Sequence, residues 1–323
     1  MQAIERMPSL PRRAVPAVAI GETAASALSS PGVSGIVEAV VSRALYLACE
    51  PDNEGPMVWI VAPGGELHSR AIIADLGQHE LRAGDLFDVQ GTQLRLGRST
   101  AVEFGTTARW SPTPLLAATL PPIPVARPRI AGALEHFAAM AAAEPTDGFG
   151  GAILIARNAL LPGSPTSTPV PSRWLSLATP GIARIAQACV AQDITTIASE
   201  AEELLGLGPG LTPSGDDFVG GLIFAAATLH AAYPDACRWN EPLLTSIADR
   251  ALDHVNPISH ALLVDHANGM GTAAAHDVLH AVFAGDEIEA RSAAHRLTTV
   301  GHTSGWDILA GMMTGMLLAW GNQ

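Results

Sequence analysis

The pattern of apolar and polar residues along the chain changes near its middle. Up to about Pro112, short runs rich in β-branched and other apolar residues are separated by turns that contain Gly, Pro or Asp. These runs are Gly35–Cys49, Val58–Ala62, Ala71–Leu76, Leu86–Val89 and Thr100–Ala108. Regular spacing of short strands and turns is typical of a compact β-sandwich or barrel. The pattern therefore predicts a β-rich domain over residues 21–112, preceded by an N-terminal extension over residues 1–20.

Beyond a proline-rich stretch the pattern becomes helical. Residues 113–128 are predicted to form an extended connector, because prolines recur there. From residue 129 to residue 323, apolar residues recur at helical spacing. The predicted helices are Ile130–Ala143, Ile182–Leu205, Phe218–Ala232, Glu241–Val255, Ser259–Ala284, Glu287–Thr299 and Trp306–Trp320. Gly151–Ala156 is the exception, a buried strand or the end of a loop. The predicted fold class is α+β, with a β-rich N-terminal domain followed by a mainly α-helical domain.

Two related motifs stand at the starts of predicted helices. The Ser-Gly-x-Asp sequence of Ser214–Asp217 recurs ninety residues later as Ser304–Asp307, and a glycine follows each at Gly221 and Gly311. Glycines in these helices allow two helix axes to approach closely, so the helix starts could converge. The repeat is therefore either a duplicated helix start or two walls of one site.

The first motif also has the composition of a ligand-binding loop. Residues 206–215 contain four glycines and two prolines, which hold the backbone in one shape and let it approach a ligand. The first amides of a helix point outward and favour an anion. A structural interpretation stays open, because Ser214 or Thr212 could simply cap the helix, with Asp216 and Asp217 as ordinary residues of its first turn.

Composition excludes several classes of protein. A net charge of −13 argues against nucleic-acid binding. The sequence also lacks a run of about 18 apolar residues of the kind that would predict a membrane span. Three widely spaced cysteines and an N-terminus without an apolar core indicate a cytoplasmic protein. The chain has no lysine, which excludes a Walker-type lysine and a Schiff base and leaves arginine as the bidentate partner of carboxylates or phosphates.

The histidines divide into one functional candidate and a weak metal motif. His302 lies between glycines of the second motif, where it could polarise a carbonyl or transfer a proton. His276 and His280 have the spacing of metal ligands on a helix, but Asp277 replaces the glutamate of the zinc-protease pattern. We therefore predict a solvated helix face there and no metal ligands. Ser259 is a further candidate, because it lies at the mouth of a predicted helix.

The two motifs together resemble the family of the third subunit of oxamate carbamoyltransferase. Gly206–Phe218 is long enough to be specific, and Gly301–Asp307 and Ala108–Pro112 support it. The resemblance covers the chain from about Gly21 to the C-terminus. It implies a multi-subunit enzyme of anaerobic purine-nitrogen use that interconverts oxalurate and phosphate with oxamate and carbamoyl phosphate. The implied partners are the other subunits and these small anions, with no nucleic acid and no membrane.

The residues of the motifs are carried over as candidates for the site. Those expected to bind the ligand are Gly208, Gly210, Thr212, Gly215, Thr303, Ser304, Gly305, Asp307 and Ser259. Those expected to take part in catalysis are His302, Asp216, Asp217 and Ser214. No cofactor is required by this interpretation, and a divalent metal beside the aspartates is left open.

Two alternatives to a catalytic carbamoyltransferase subunit remain. One is a non-catalytic ligand-binding or scaffolding subunit of the same complex. The other is an amide hydrolase, for which Ser214, His302 and Asp217 would supply a triad. The Gly-x-Ser-x-Gly elbow of such enzymes is missing, and two aspartates follow Ser214 closely.

Overall fold

The structure is a computed structural model. It describes residues 13–49, 55–115, 120–144, 146–161, 171–237, 241–252 and 254–321. The chain divides into two compact units, Met1–Pro112 and Thr113–Gln323. The first is built mainly of strands and the second mainly of helices, so the predicted α+β class is confirmed.

The first unit is a closed β-barrel with one additional strand. Its strands are β1 Arg13–Gly21, β2 Ser34–Val40, β3 Ala44–Cys49, β4 Met57–Val61, β5 Ala71–Ala74, β6 Leu86–Gln90, β7 Gln93–Leu96, β8 Thr100–Glu103 and β9 Ala108–Trp110. They hydrogen-bond in the order β5-β4-β3-β2-β6-β7-β8-β1, and pairing between β1 and β5 closes the circle. β9 is added beside β1. Of the two architectures left open by the sequence, the structure is therefore the barrel.

Strand β1 corrects the predicted N-terminal extension over residues 1–20. From Arg13 onward the chain pairs in parallel with β8, and from Ala17 onward it pairs antiparallel with β5. Its nearly continuous apolar sequence lacks an alternating pattern, and Pro16 suggested a break, which is why the strand was missed. Residues 1–12 lie outside the described residues. A helix, α1 (Glu22–Leu28), follows β1 and packs its buried side chains into the core of the barrel.

The second unit contains ten α-helices in its described parts. They are α2 Ile123–Ala143, α3 Ala152–Leu160, α4 Arg173–Ala191, α5 Ile194–Glu202, α6 Ser214–Ala232, α7 Glu241–Ala251, α8 Pro257–Ala267, α9 Ala273–Ala284, α10 Glu287–Thr298 and α11 Ser304–Gly315. A 3-10 helix, Met316–Trp320, continues α11. Helices α6 and α11 lie at the centre, since nearly all of their residues are buried.

Several predicted boundaries in this unit were wrong for identifiable reasons. The predicted connector over residues 113–128 ends early, because α2 begins at Ile123 and accommodates Pro124 in its first turn. Residues 116–119 of that connector lie outside the described residues. Gly151–Ala156 is the start of helix α3 and not a strand. A short apolar run does not distinguish a buried strand from a buried helix.

Two predicted long helices are each a pair of helices. The segment Ile182–Leu205 contains α4 and α5, which are separated at Gln192 by a left-handed residue with φ of 54°. The segment Ser259–Ala284 contains α8 and α9, which are separated by a turn with Gly269 at φ of 70°. Among the described residues, no helix is long and apolar enough to cross a membrane.

Candidate functional site

Helices α6 and α11 cross at two reciprocal glycine contacts. A Cβ at Gly221 would lie 2.1 Å from the carbonyl oxygen of Ile308, and a Cβ at Gly311 would lie 1.9 Å from that of Phe218. Ile308 and Phe218 are themselves equivalent positions of the ninety-residue repeat. The close crossing predicted from the glycines is therefore confirmed, and it relates the two motifs by an approximate twofold symmetry.

The second residue of each motif is a packing glycine. A Cβ at Gly215 would lie 1.8 Å from the carbonyl oxygen of Leu204, and a Cβ at Gly305 would lie 1.8 Å from that of Leu297. The amide of Gly215 donates to Leu207 at 2.8 Å, and the amide of Gly305 donates to Val300 at 3.0 Å. Both glycines thus fix the helix starts against the preceding chain, and their amides are already used.

The two helix starts meet through hydroxyl and carboxyl groups. Thr212 Oγ1 and Ser304 Oγ are 3.1 Å apart. Both hydroxyls also hydrogen-bond to the carboxyl group of Asp217, whereas the hydroxyls of Ser214 and Thr303 hydrogen-bond to that of Asp307. Each aspartate therefore contacts the serine at the start of the other helix.

These hydroxyl groups do not cap the helices. Neither α6 nor α11 has a side-chain cap. The residues before them, Pro213 and Thr303, accept first-turn hydrogen bonds only through their backbone carbonyl oxygens, from the amides of Asp217 and Asp307. By contrast, α8, α9 and α10 are each capped by a side chain. The capping role considered for Ser214 and Thr212 is therefore wrong, and the outward-pointing amides at these two helix starts remain without a side-chain acceptor.

The two reciprocal carboxyl groups lie in a strongly desolvated environment. Burial raises the pKa of Asp217 well above its usual value and the negative charge of Asp307 raises it further, while Ser304 and Thr212 oppose the shift. Burial raises the pKa of Asp307 to about 6, against hydrogen bonds from Ser214, Phe149 and Thr303. Within the described ranges, no arginine forms an ion pair with either group.

Asp216 faces a different part of the structure. Its carboxyl group accepts a hydrogen bond from the amide of Gly206 at 2.7 Å and lies beside the hydroxyl of Ser259. Burial raises the pKa of Asp216 despite these contacts. Asp216 therefore holds the beginning of the glycine-rich loop, whereas Asp217 lies at the contact between the two helices.

The other end of that loop is held by the start of α8. The carbonyl oxygen of Leu211 accepts hydrogen bonds from Ser259 Oγ, at 3.1 Å, and from Asn256 Nδ2. Between the two fixed ends, Gly208 and Gly210 have φ angles of 128° and 100°, which L side chains rarely adopt. The loop thus has a defined shape, and its tip at Gly210 is exposed.

His302 lies on the surface beside the contact between the helix starts. It is exposed, while Thr303 and Ser304 after it are half-buried. Ser214 is buried and its hydroxyl bonds to Asp307, and the described residues record no contact between Ser214 and His302. The Ser-His-Asp arrangement of a hydrolase is therefore not assembled.

Sequence reasoning missed two contributors to this site. The amide of Phe149 donates to the carboxylate of Asp307, and a Cβ at Gly148 would overlap that carboxylate. The second is the hydrogen bond from Asn256 to Leu211. The sequence itself indicates that Asn256 or Ser259 could cap this helix, and Asn256 does cap α8. A signal was present in the glycines at positions 148, 150 and 151, but that segment was interpreted as the approach to a strand.

The histidine pair of α9 also differs from the prediction. His276 is buried and not on a solvated face, and its Nε2 accepts a hydrogen bond from the amide of Gly271 at 3.1 Å. Burial lowers its pKa to about 4, and its ring packs edge-on against Phe224. Among the described residues, no group of three or more His, Cys, Asp or Glu side chains is arranged to hold a metal ion.

A cavity elsewhere in the helical unit does not involve the motifs. It has a volume of about 220 Å³ and is lined by residues of α2, α9 and α10, with Arg129, His136 and Arg291 among them. Near the motifs, Gly210 and His302 are exposed to solvent.

Comparison with known proteins identifies the segment that carries the site. Residues 204–316 match the sequence model of the family described as oxamate carbamoyltransferase subunit AllH. The match spans about a third of the chain and includes both motifs and α8, so the resemblance found in the motifs is confirmed over this segment. No curated protein and no solved structure matches the chain.

Proposed function

Since residues 204–316 match the oxamate carbamoyltransferase subunit family, we propose that the protein is a subunit of such an enzyme and that the starts of α6 and α11 bind its small substrate. The reaction would interconvert oxalurate and phosphate with oxamate and carbamoyl phosphate. The other subunits of the enzyme would be its partners.

The observation that carries this proposal is the 3.1 Å contact between Thr212 and Ser304. It brings two motifs that are ninety residues apart into one place, together with two helix starts that lack side-chain caps. Paired helix starts of this kind attract partial or full negative charge. A fold that needed the motifs only for packing would not require buried carboxyl groups between them.

The proposed chemistry depends on prearranged hydrogen-bond donors. Carbamoyl transfer develops negative charge on the carbamoyl oxygen, and fixed donors stabilise such charge more effectively than solvent does. The backbone at Gly208 and Gly210 and the hydroxyl groups of Thr212 and Ser304 are the nearest candidates. His302, at the exposed rim, would polarise or protonate the substrate. Asp216 would act indirectly by fixing the loop.

A reconstituted complex provides the test. Mixing the chain with the two other subunits should give conversion of oxalurate to oxamate that depends on phosphate. Gly208→Ala should reduce this conversion strongly, because the new Cβ would lie 2.7 Å from the amide nitrogen of Ser214. His302→Ala should also reduce it while the complex still assembles, since His302 is exposed.

Gly269, which follows the C-terminal end of α8, provides a matched control. It also has a positive φ, of 70°, but a Cβ there would meet nothing within 4 Å. Gly269→Ala should therefore carry the backbone strain without touching the site, and should retain activity. If Gly208→Ala and His302→Ala both assemble and turn over like the control, the motifs hold the complex together and catalysis occurs in another subunit.

A further inference from the structure

The contact between the helix starts contains two carboxyl groups that are not neutralised by a cation. Asp217 and Asp307 are 4% and 0% exposed. The Oδ2 atom of each has no hydrogen-bond partner among the described residues. Among the described residues, the groups that hydrogen-bond to these two carboxyl groups are hydroxyls and a backbone amide, and none is an arginine.

We propose that Asp217 and Asp307 together hold one proton, that this proton resides on Asp217, and that Asp217 therefore acts as a neutral carboxylic acid that donates it in a hydrogen bond to the carbonyl oxygen of an amide or carbamoyl group. The identification of that group rests on the proposed function. The protonation of the pair does not, since it follows from the arrangement of the two side chains in this chain alone.

The arrangement favours one proton because two charges would otherwise oppose each other without compensation. Buried charges are normally paired, and a buried carboxyl group without a cation retains its proton instead. The approximate twofold symmetry of the crossing places the two groups on facing helix starts, and the charge of Asp307 raises the pKa of Asp217 more than that of Asp216 does. Burial and the mutual repulsion act in the same direction on the pKa of Asp217.

The charged groups recorded as acting on the pKa of Asp217 are Asp307 and Asp216, and both are acidic. On its own helix, Asp216 is bonded to Gly206, lies beside Ser259 and is itself acidic. On α8, His266 lies further along, with its Nδ1 atom against Gly220. His302 precedes α11 and is exposed to solvent. The hydroxyl groups of Thr212 and Ser304 hydrogen-bond to the carboxyl group of Asp217. Its Oδ2 atom, which has no partner among the described residues, is the position for the donated proton.

A neutral acid resolves an apparent conflict in the site. Helix starts attract an electron-rich group, whereas two ionised carboxylates at the same place would repel it. When Asp217 carries the proton, its O–H joins the hydroxyl groups as a donor, and the repulsion disappears. A carboxylic acid that is kept neutral by its surroundings can in this way stabilise negative charge on a substrate oxygen.

The first experiment observes the proton directly. Infrared spectra of the isolated chain at pH 7 should show the carbonyl band of one protonated carboxylic acid, identified by its shift in heavy water. The band should be lost in Asp217→Asn and remain in Asp216→Asn. Absence of the band from the wild-type chain would overturn the proposal, as would its persistence in Asp217→Asn.

The second experiment uses the reconstituted complex and oxalurate, and it reads the pH profile of kcat. The wild type should lose activity toward high pH as the pair ionises. Asp307→Asn removes the repelling charge, so the loss should move to lower pH. Asp217→Asn retains an N–H donor that does not ionise, so its kcat should no longer fall at high pH. Asp217→Ala has no donor and should reduce kcat by about 100-fold.

The two experiments separate failure of this inference from failure of the proposed function. An infrared band with no turnover by any complex would leave the shared proton intact and overturn the assigned substrate. If the complex turns over and the loss of kcat at high pH occurs at the same pH in the wild type and in both aspartate variants, the carbamoyltransferase activity is supported and the role of Asp217 is overturned. Turnover that requires a divalent cation, together with an absent band, would replace the shared proton by a metal ion.

Discussion

The starts of α6 and α11 share a backbone arrangement and differ in what surrounds it. Both begin with Ser-Gly-x-Asp, both pack the glycine against a preceding carbonyl group, and both direct their aspartate to the serine of the other helix. The variable third residue is Asp216 in one and Trp306 in the other. Identical packing thus supports two different environments.

That difference assigns different tasks to the two helix starts. On the α6 side, the hydrogen bonds from Gly206 to Asp216 and from Ser259 of α8 to Leu211 hold the two ends of the exposed glycine-rich loop. Trp306 is buried, and Gly150 packs against its ring. The α11 side is therefore anchored by apolar packing and presents only His302, Thr303 and Ser304. We infer that the α6 side shapes the ligand site and the α11 side completes it.

The largest expected effect comes from breaking the crossing itself. Gly311→Ala should destabilise the helical unit by about 3 kcal/mol or more, because the new Cβ would lie 1.9 Å from a backbone oxygen that cannot move aside. Gly132→Ala is the control, since Gly132 lies in helix α2 with open space around it and alanine there should stabilise by about 1 kcal/mol. Urea unfolding measures both. Equal stability of the two variants would show that the crossing tolerates a side chain.

An intermediate effect should appear in the pH dependence of stability. The pKa of Asp307 rises from 3.8 to about 6 on folding, so the folded state favours the protonated form. Its contribution is fully present below about pH 4 and is lost as the pH rises to about 6, a change on the order of 3 kcal/mol.

Asp307→Asn should therefore have the flatter profile of the two proteins. Relative to wild type, the variant should gain stability between about pH 4 and pH 6, as measured by urea unfolding at a series of pH values. Parallel wild-type and variant curves across this range would contradict the raised pKa.

The smallest expected effect comes from removing a helix cap, and it separates a residue that only caps from one that also holds the glycine-rich loop. Asn256→Ala and Thr272→Ala each remove a side-chain cap, from α8 and α9, and each should cost about 1 kcal/mol in unfolding. Only Asn256 also holds the carbonyl oxygen of Leu211. Asn256→Ala should therefore also increase hydrogen exchange at loop residues 206–213. An equal exchange rate in both variants would show that Ser259 alone fixes the loop.

The parts of the fold that the sequence predicted are those in which one physical rule dominates. Glycines at Gly221 and Gly311 had no better explanation than close helix approach, and the structure shows that approach. The barrel was predicted only as one of two options, because its closure depends on β1 pairing with strands more than fifty residues away. Local patterns contain no information on such pairing.

The sequence predicted which residues lie at the site, but not which of them hydrogen-bond to one another. The sequence indicated Ser214, Ser304, Asp217 and Asp307 as candidates, but it left open that Ser214 or Thr212 simply caps its own helix. The structure shows that the hydroxyl groups of Ser214 and Ser304 bond to the carboxyl group of the opposite helix. The bonds from Phe149 to Asp307 and from Asn256 to Leu211 could not be predicted, because each joins segments that are distant in sequence and meet only in the folded protein.

The ninety residues between the two motifs have a consequence for the order in which the chain folds. Bringing Thr212 and Ser304 together closes a long loop, and contacts of this kind form slowly because the entropy of closure must be overcome first. During synthesis, α6 emerges long before α11, and its small-residue face has no partner in that interval. Such a face is prone to association with other chains. Nascent chains that end before residue 304 are therefore the species for which a chaperone would matter most.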